Sequence, residues 1–357
     1  MSKKKTSGWM AALESQDLEV TNARDALQVR GYLDSGCYAL NWAISGRLQR
    51  GWPLGHTGVI AGDPSTGKSF VAARAIALCQ EQGGVALLDD AEGAYNAEHS
   101  ENIGVRVDDL AYARSHTVKE HLKVAQAFVG GVRKLNPPKA ICVLDSIAQL
   151  STEHELEQGL DKRDMTKAPE LKAFYRIMGK ALFELPVLHL ATNHIIAAIG
   201  NAWQPRTTPG GGGPKFTASV MVDLRATSKI KVNDEIVGTL CRAVVNKNRI
   251  TAPWKEVQFA IPFHQAISRC SGLIPLLIKL GLLEERGHFL FFQDNKVGRA
   301  YKSKEKFLQQ DQLAEEIVAG NPTLLDQADA VIAEGRVQTI KAADATTDDD
   351  EADEAED

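Results

Sequence analysis

The first residues with a recognisable chemistry form an eight-residue stretch that follows a short apolar run. Residues 62–69 match the pattern G-x-x-x-x-G-K-[ST], with the sequence Gly62, Asp63, Pro64, Ser65, Thr66, Gly67, Lys68 and Ser69. Glycines let backbone N–H groups turn towards phosphate oxygens, and the following helix presents its positive end to the same oxygens. Lys68 would place a positive charge on the outer phosphates, and Ser69 would offer a hydroxyl to Mg²⁺. The pattern predicts a nucleoside triphosphate site, with a purely structural glycine turn as the alternative.

Two carboxylates follow later apolar runs. Asp145 ends the run 141–144, where a carboxylate can hold a Mg²⁺-bound water, although a helix cap is the alternative. Glu92 follows the run 85–88 and is placed to activate a water molecule against a γ-phosphate. Position alone equally allows a surface carboxylate at Glu92.

The elements that must hold these residues can be read from the alternation of apolar runs and helical patterns. The predicted strands cover residues 59–61, 85–88, 141–144 and 186–191. The predicted helices cover residues 70–80, 119–135, 171–183 and 271–283, and further strands are expected within 220–265. This order predicts an α/β fold with a mostly parallel twisted sheet flanked by helices. Ligands of such sheets bind beyond the carboxyl ends of the strands, where the polar residues lie.

Charge is unevenly distributed along the chain. The formal net charge is -5, yet nine acidic residues lie between Asp344 and Asp357 and no basic residue follows Lys341. Without those nine acids, residues 1–343 carry a net charge of +4. A mildly basic body is compatible with nucleic-acid binding, and the acidic tail would either compete with DNA for basic surfaces or increase solubility.

Several classes of protein are disfavoured by the composition. No stretch approaches the roughly 18 apolar residues needed to span a membrane. The basic N-terminus leads into no apolar run, so it does not read as a secretory signal. Five scattered cysteines argue against a disulfide framework and a zinc site, and predict a reducing, cytoplasmic environment. They are Cys37, Cys79, Cys142, Cys241 and Cys270.

The order of the motifs resembles that of the RecA-type homologous recombinases, most closely the phage-encoded recombinases of the UvsX type. A phosphate loop is followed by Asp-Ala-Glu at 90–92, by Leu-Asp-Ser at 144–146, by Thr-Asn-His at 192–194 and by a glycine-rich segment. The resemblance covers roughly residues 32–285. For a phage-encoded protein, the cytoplasm would be that of the bacterial host.

The resemblance implies roles for residues around the nucleotide. Glu92 would be the general base, and Ser69 and Asp145 would serve Mg²⁺. His194 would sense the γ-phosphate and relay its presence into the segment that begins at Ile195; from its position alone it would be a core residue. Lys247 and Arg249 resemble a pair that reaches across a filament interface to the neighbouring nucleotide, although the residues alone would pass as surface bases. The remaining contacts implied for ATP are the loop residues themselves, Phe70, Asn96 and His99, with Tyr95 as a substitute for stacking on adenine.

Two segments resemble the DNA-binding loops of the family. Their basic side chains would neutralise phosphates, apolar or aromatic tips would contact bases, and glycines would let the backbone approach a phosphate. Neither has a pattern for reading bases, so binding is expected to be independent of sequence. A flexible linker is the alternative for the glycine run. The implied contacts in 157–170 are Lys162, Arg163, Met165 and Lys167, and those in 195–216 are Trp203, Arg206, Gly210, Gly211, Gly212, Gly213 and Lys215.

The implied organisation has four parts. Residues 1–31 would be an N-terminal oligomerisation segment, 32–285 a RecA-like ATPase core, 286–341 a small C-terminal region and 342–357 a disordered acidic tail. The implied function is ATP-dependent recombination in DNA repair: helical filaments on single-stranded DNA, homologous pairing with duplex DNA, strand exchange and DNA-stimulated hydrolysis of ATP. A single-strand binding protein and a loader would be further partners. A hexameric replicative helicase and a non-catalytic recombination mediator remain as alternatives.

Overall fold

The computed structural model describes residues 29–159, 166–197, 206–207, 218–300 and 306–334. The expectations for residues 1–28 and for the acidic tail at 342–357 lie outside this part of the chain. The strands, in chain order, are β1 (Tyr32–Leu33), β2 (Trp52–Pro53), β3 (His56–Gly62), β4 (Val85–Asp90), β5 (Leu110–Ala113), β6 (Ala140–Asp145), β7 (Val187–His194), β8 (Ile196–Ala197), β9 (Arg206–Thr207), β10 (Val220–Val232), β11 (Glu235–Asn248), β12 (Lys255–Pro262), β13 (Glu284–Arg286), β14 (Phe289–Phe292) and β15 (Asn295–Arg299). The α-helices are α1 (Tyr38–Ser45), α2 (Lys68–Glu81), α3 (Ala97–Ile103), α4 (Val118–Leu135), α5 (Glu153–Gln158), α6 (Lys167–Leu182), α7 (Leu273–Lys279), α8 (Phe307–Gly320) and α9 (Leu324–Ala333).

An eight-stranded sheet forms the centre of the fold, in the order β12-β11-β10-β3-β7-β6-β4-β5. The six strands from β10 to β5 run parallel to one another, and β11 and β12 add antiparallel pairings at the β10 edge. The predicted α/β fold with a mostly parallel sheet is therefore confirmed. The strand that precedes the phosphate loop, β3, lies between β10 and β7 inside the sheet.

Both faces of the sheet are covered by helices, which explains why its central strands are apolar on both sides. Adjacent residues on β3 enter different apolar clusters: Ile60 packs with residues of α2, and Val59 packs with residues of α4 and α6. The same alternation on β7 places Leu188 on the α2 side and Val187 on the α6 side. The helix that receives the phosphate loop is thus fixed against one face, and α6 against the other.

The C-terminal region packs on the core instead of standing apart from it. Leu313 of α8 and Leu324 of α9 belong to the same apolar cluster as α1 and α2. The backbone N–H of Leu48 also donates a hydrogen bond to the Asp329 carboxylate of α9 at 2.7 Å. The predicted ATPase core ends at residue 285, which lies in the middle of strand β13.

The predicted helix 271–283 is shorter in the structure, where α7 covers only Leu273–Lys279. The chain turns at Gly281, which has a φ of +71°. Leu282 and Leu283 both donate backbone hydrogen bonds to the carbonyl of Leu277 after this turn. The apolar pattern continues past the helix end because these leucines stay near the core, so periodicity alone overestimates the helix.

No α-helix in the described ranges is long and apolar enough to cross a membrane. All five cysteines lie within these ranges, and each is a buried free thiol.

Candidate nucleotide site

The phosphate loop is shaped by backbone conformations that its sequence permits. Gly62 ends β3 against the backbone of β10, where an added Cβ would collide with the carbonyl oxygen of Leu224. The chain then passes through left-handed conformations at Ser65 (φ +58°) and Gly67 (φ +87°). Helix α2 begins directly after Gly67, so its first N–H groups face the loop. A strand, a glycine-bounded loop and a helix start therefore form the context that the motif requires.

Side chains of the loop hold it in a closed shape. The Thr66 hydroxyl and the Lys68 ammonium both donate hydrogen bonds to the carbonyl oxygen of Asp63, each at 2.9 Å. Lys68 is only 6% exposed, and burial lowers its pKa. The nearby carboxylates of Asp145, Glu92 and Asp63 oppose that shift. The structure therefore places the two predicted carboxylates within electrostatic reach of the predicted phosphate-binding lysine.

Ser69 and Asp145 line one cavity of about 130 Å³ at the carboxyl end of the sheet. Ser69 lies in the first turn of α2, and Asp145 is the last residue of β6. The buried hydroxyl of Thr192 on β7 donates a hydrogen bond to Asp145 Oδ1, which orients the carboxylate. A hydroxyl and a carboxylate beside a phosphate site fit Mg²⁺, which takes oxygen ligands and usually has one or two from the protein.

The loop that carries Glu92 is anchored at both its ends. The Glu92 backbone N–H donates to the carbonyl oxygen of Asp145 at 3.0 Å. The Asp90 carboxylate accepts from the N–H of Gly93 at 2.8 Å and of Tyr95 at 3.1 Å. The hydroxyl of Tyr112 donates to the same carboxylate at 3.0 Å. These bonds leave the exposed Glu92 side chain on a fixed loop beside the candidate metal ligands.

Sequence reasoning did not assign a role to Asp90. Asp89 and Asp90 are consecutive at the end of a strand, so their side chains point to opposite faces. Both are buried. Two consecutive acids after a buried apolar run were therefore a signal that at least one of them organises the adjoining loop.

The residues expected to contact the base surround the other end of the same cavity. His99 and Phe70 face each other edge to face with ring centroids 5.6 Å apart, and His99 is exposed. Asn96 is the N-cap of α3, and its side chain accepts from the His99 N–H at 2.8 Å. The hydroxyl of Tyr95 is buried without a hydrogen-bond partner within the described ranges, and Tyr95 also lines the cavity. His99 and Tyr95 are thus both present at the predicted base site, and Asn96 has a capping role.

His194 lies beside the phosphate loop. It is the last residue of β7 and stands opposite Gly62 in the parallel register of β3 and β7. The next residue, Ile195, donates its N–H to the carbonyl of Gly62 at 3.2 Å. A single hydrogen bond therefore connects the start of the phosphate loop to the segment after His194, so a displacement of one can displace the other.

Lys247 lies level with the middle of β3, and Arg249 lies towards the amino end of that strand. In the β11–β10–β3 register Lys247 aligns with Met221 and then with Val59. Arg249 donates its N–H to Ser219, whose own N–H donates to Thr57. Thr57 precedes Gly62 by five residues on the same strand, a distance of about 17 Å. The structure does not bring this pair to the phosphate loop of its own chain.

Burial, and then the charge of Arg249, lowers the pKa of Lys247 to about 8. The two cations are therefore close enough to repel each other. Such a pair is electrostatically suited to an anion, which would relieve the repulsion.

Most of the predicted DNA contacts lie outside the described residues. These are Lys162, Arg163, Met165, Trp203, Gly210, Gly211, Gly212, Gly213 and Lys215. Arg206 is described only by its backbone, which pairs with Ala197 in the short β8–β9 ribbon. Lys167 is the first residue of α6, and its ammonium donates to the carbonyl of Ala148 at 2.9 Å, just beyond the end of β6.

Comparison with known proteins agrees with this arrangement. Residues 19–268 match the family described as the RecA N-terminal domain. Protein RecA of Porphyromonas gingivalis is 32% identical over 288 residues, which cover 80% of this chain and 82% of that protein. Protein RecA of Caldanaerobacter subterraneus is 33% identical over 277 residues, covering 75% and 78% of the two chains.

The chain belongs to the RecA family. It is a RecA-like homologous recombinase and a DNA-dependent ATPase. The matched residues 19–268 contain the phosphate loop, both site carboxylates, His194 and the Lys247–Arg249 pair. Membership of this family favours a recombinase over the replicative helicase and the non-catalytic mediator.

Proposed function

We propose that this RecA-family chain assembles head to tail into helical filaments on single-stranded DNA, and there catalyses homologous pairing and strand exchange with duplex DNA. The observation that carries the proposal is the separation of the site into two ends. The phosphate loop, Glu92 and His194 lie at the carboxyl ends of the strands. Lys247 is level with a residue about 10 Å before Gly62 along β3, and Arg249 with one about 17 Å before it. A second copy stacked end to end would supply its pair to the first copy's nucleotide. A head-to-tail contact that does not close produces a filament.

The residues around the loop divide the work of hydrolysis. Residues 62–69 would hold the phosphates through backbone N–H groups and the Lys68 ammonium. Mg²⁺, when bound, neutralises phosphate charge, and Ser69 and Asp145 would hold it, with Asp145 oriented by Thr192. Glu92 would accept a proton from the attacking water, since its loop is fixed by Asp90 and by the Asp145 carbonyl. The cations from the neighbouring copy would stabilise the charge that develops on the phosphate.

The phosphate state would be transmitted to DNA through His194. Its neighbour Ile195 is hydrogen-bonded to Gly62, and the segment 195–216 follows at once. Together with 157–170, this segment would hold single-stranded DNA through phosphates and stacking, without reading sequence. A single-strand binding protein and a loader would act with the filament.

Two narrower assignments are also proposed. The histidine at position 194 supports a relationship with phage-encoded recombinases of the UvsX type, which have histidine where bacterial proteins have glutamine. Five buried free thiols support action in a reducing cytoplasm.

The proposal is tested by steady-state ATP hydrolysis with and without single-stranded DNA, and by negative-stain imaging with a non-hydrolysable ATP analogue. DNA should stimulate the wild type, and filaments should require both DNA and the analogue. Lys68→Ala should lose binding and hydrolysis, whereas Glu92→Gln should still form filaments but hydrolyse at least about a hundredfold more slowly. Closed rings that unwind forked DNA would identify a helicase, and nucleotide binding without turnover would identify a mediator.

A further inference from the structure

A group of buried polar side chains lies between the sheet and helices α4 and α6. It consists of Asp89 on β4, His121 on α4 and His189 on β7, each no more than 1% exposed. None of these residues has a part in the hydrolysis described above. Since an unpaired polar group is costly to bury, their hydrogen bonds show what the group does.

Asp89 is the fixed end of the group. Its Oδ1 accepts from the Ser115 N–H at 2.8 Å, and its Oδ2 accepts from the Ser115 hydroxyl at 2.6 Å and lies 2.7 Å from His121 Nδ1. Burial raises the pKa of Asp89, but the hydrogen bonds from His121 and Ser115 outweigh burial and leave the pKa lowered. Asp89 is therefore a carboxylate, and Nδ1 of His121 donates a proton to it.

The second link joins the two imidazoles. Nε2 of His121 lies 3.0 Å from Nε2 of His189, which is a hydrogen bond when only one of the two nitrogens carries a proton. Burial, and then the neighbouring His121, lowers the pKa of His189 to about 3. His189 is therefore neutral near pH 7, so one of its ring nitrogens carries a proton and the other does not. The bond between the two Nε2 atoms ties helix α4 to strand β7.

The remaining titratable groups around the pair do not compete for this proton. Tyr175 of α6 packs edge-on to His189 with centroids 6.1 Å apart, and Cys142 is paired with His189 across β6 and β7. Burial raises the pKa of both groups, so both stay protonated and neutral. Phe174, the preceding residue of α6, packs on both imidazoles with centroid distances of 4.9 Å and 5.1 Å.

The strands and helices joined by this group continue into the Glu92 loop, into His194 and into the first candidate DNA-binding segment. Asp89 precedes Asp90, which shapes the Glu92 loop. His189 lies on the strand that ends at His194. Helix α6, packed on the imidazoles through Phe174, starts at Lys167 inside the first candidate DNA-binding segment, 157–170.

We infer that Asp89, His121 and His189 are positioning residues that couple DNA contact at 157–170 to hydrolysis at Glu92. A displacement of α6 would move Phe174 against the imidazole pair, in which His189 belongs to β7 and His121 is hydrogen-bonded to Asp89 of β4. This inference rests on the proposed function, because it concerns the DNA-stimulated part of the ATPase rate.

The test compares ATP hydrolysis with and without saturating single-stranded DNA in His189→Leu, which removes the bond to His121 and fills its place with an apolar side chain of similar size. The ratio of the stimulated to the DNA-free rate should fall about three- to thirtyfold, a typical coupling effect. The DNA-free kcat and the KM for ATP should stay at wild-type values. His189→Gln offers His121 Nε2 an amide partner again and should recover most of the ratio. Leu188→Ala is the matched control, because Leu188 is equally buried on the same strand but faces α2. It should lower stability without changing the ratio.

Two results would overturn the inference. One is that His189→Leu lowers the stimulated and the DNA-free rates by the same factor. The other is that Leu188→Ala changes the ratio as strongly as His189→Leu does. Either result would mean that the three residues only contribute to core packing. If His189→Leu does not fold, Ser115→Ala removes one donor to Asp89 and should lower the ratio by a smaller factor, and an unchanged ratio there would also refute coupling. A wild type that DNA does not stimulate would refute the proposed function itself, before any variant is compared.

Discussion

Lys247 is a residue of the proposed site whose charge should depend on pH in the working range. Its pKa is lowered to about 8 by burial and by Arg249, so it is a cation below that pH and loses its charge as the pH rises through it. If this charge acts on a neighbour's phosphate, DNA-stimulated hydrolysis should decline between pH 8 and 10. The bound phosphate, being an anion, raises the pKa of Lys247 and so shifts the midpoint of this decline to higher pH. Lys247→Arg keeps its charge throughout, because a guanidinium titrates above about pH 12.

The measurement is the DNA-stimulated rate of wild type and Lys247→Arg from pH 7 to pH 10. The ratio of wild type to variant should fall as the pH rises. Filament formation at each pH, scored by imaging, separates loss of the charge from loss of assembly. Parallel profiles for the two proteins would show that the charge of Lys247 has no part in the rate.

Single residues differ in how far sequence could predict them. The phosphate loop follows from spacing, since glycines and a lysine at fixed offsets have one well-known use. Asn96 is different: it stands at the expected base site, yet its side chain caps α3 through the His99 N–H. The partners of Asp89 and Asp90 come from residues up to 32 positions away, which no local pattern contains.

At the scale of elements, prediction from sequence succeeds where local signals mark the two ends of a helix or strand. Helix α4 was expected at 119–135 and covers Val118–Leu135, because a capping box of Thr117 and Glu120 begins it and Pro137 follows its end. Helix α7 was overestimated because Leu282 and Leu283 continue the apolar pattern after the turn at Gly281. The sheet order could not be predicted from the sequence, because register and neighbours depend on contacts distant in the chain.

The two glycines that flank α7 provide a test of that boundary. Gly272 and Gly281 both have φ of +71°. An added Cβ at Gly272 would collide with the carbonyl oxygen of Gln258, whereas nothing lies within 4 Å of one at Gly281. Gly281→Ala should lower the free energy of unfolding by about 1–2 kcal/mol, the left-handed backbone cost. Gly272→Ala should cost about 3 kcal/mol or more, since backbone must move as well. Urea unfolding measures the free energy of unfolding of both variants. Equal losses would show that the backbone near Gln258 moves away from the added Cβ at no cost in free energy.

Asp311 links α8 to the start of α7 and should make that contact depend on pH. Its carboxyl accepts a hydrogen bond from the Ser271 hydroxyl at 2.6 Å and another from the Gly272 N–H at 3.2 Å. Burial raises its pKa to about 7, with the two hydrogen bonds opposing the shift. A carboxyl whose folded pKa exceeds its unfolded value of about 3.9 contributes stability that is complete below that value and lost as the pH rises through the folded pKa.

Asp311→Asn mimics the neutral carboxyl and should remove this dependence. The difference in unfolding free energy between wild type and variant should shift by about 2 kcal/mol between pH 5 and pH 8, with the wild type favoured at the lower pH. Urea unfolding at both values gives the difference, and hydrogen exchange in α8 locates it. An equal difference at the two pH values would mean that Asp311 titrates as an ordinary surface carboxylate.

At the scale of the whole molecule, the feature on which the proposed function depends is that the Lys247–Arg249 pair is displaced along the sheet from the phosphate loop of its own chain. The family and the fold were predictable from motif order, but the distance between Lys247 and its own phosphate loop is a property of sheet register. That distance makes complementation between two defective chains possible. Lys68→Ala lacks a working phosphate loop but keeps the basic pair. The double variant Lys247→Ala/Arg249→Ala keeps the loop and lacks the pair.

Each variant alone should be inactive in DNA-stimulated hydrolysis, while an equal mixture should recover activity. In a randomly mixed filament about one interface in four combines an intact loop with an intact pair, so about a quarter of the wild-type rate is expected. A mixture of Lys68→Ala with Glu92→Gln is the control, because both defects lie at the same end of the sheet and no interface is complete. Recovery only in the first mixture supports sharing of the site between copies. Full inactivity of both mixtures, with mixed filaments visible by imaging, would mean that the pair acts within its own chain. Activity of the double variant alone would mean that the pair has no part in hydrolysis.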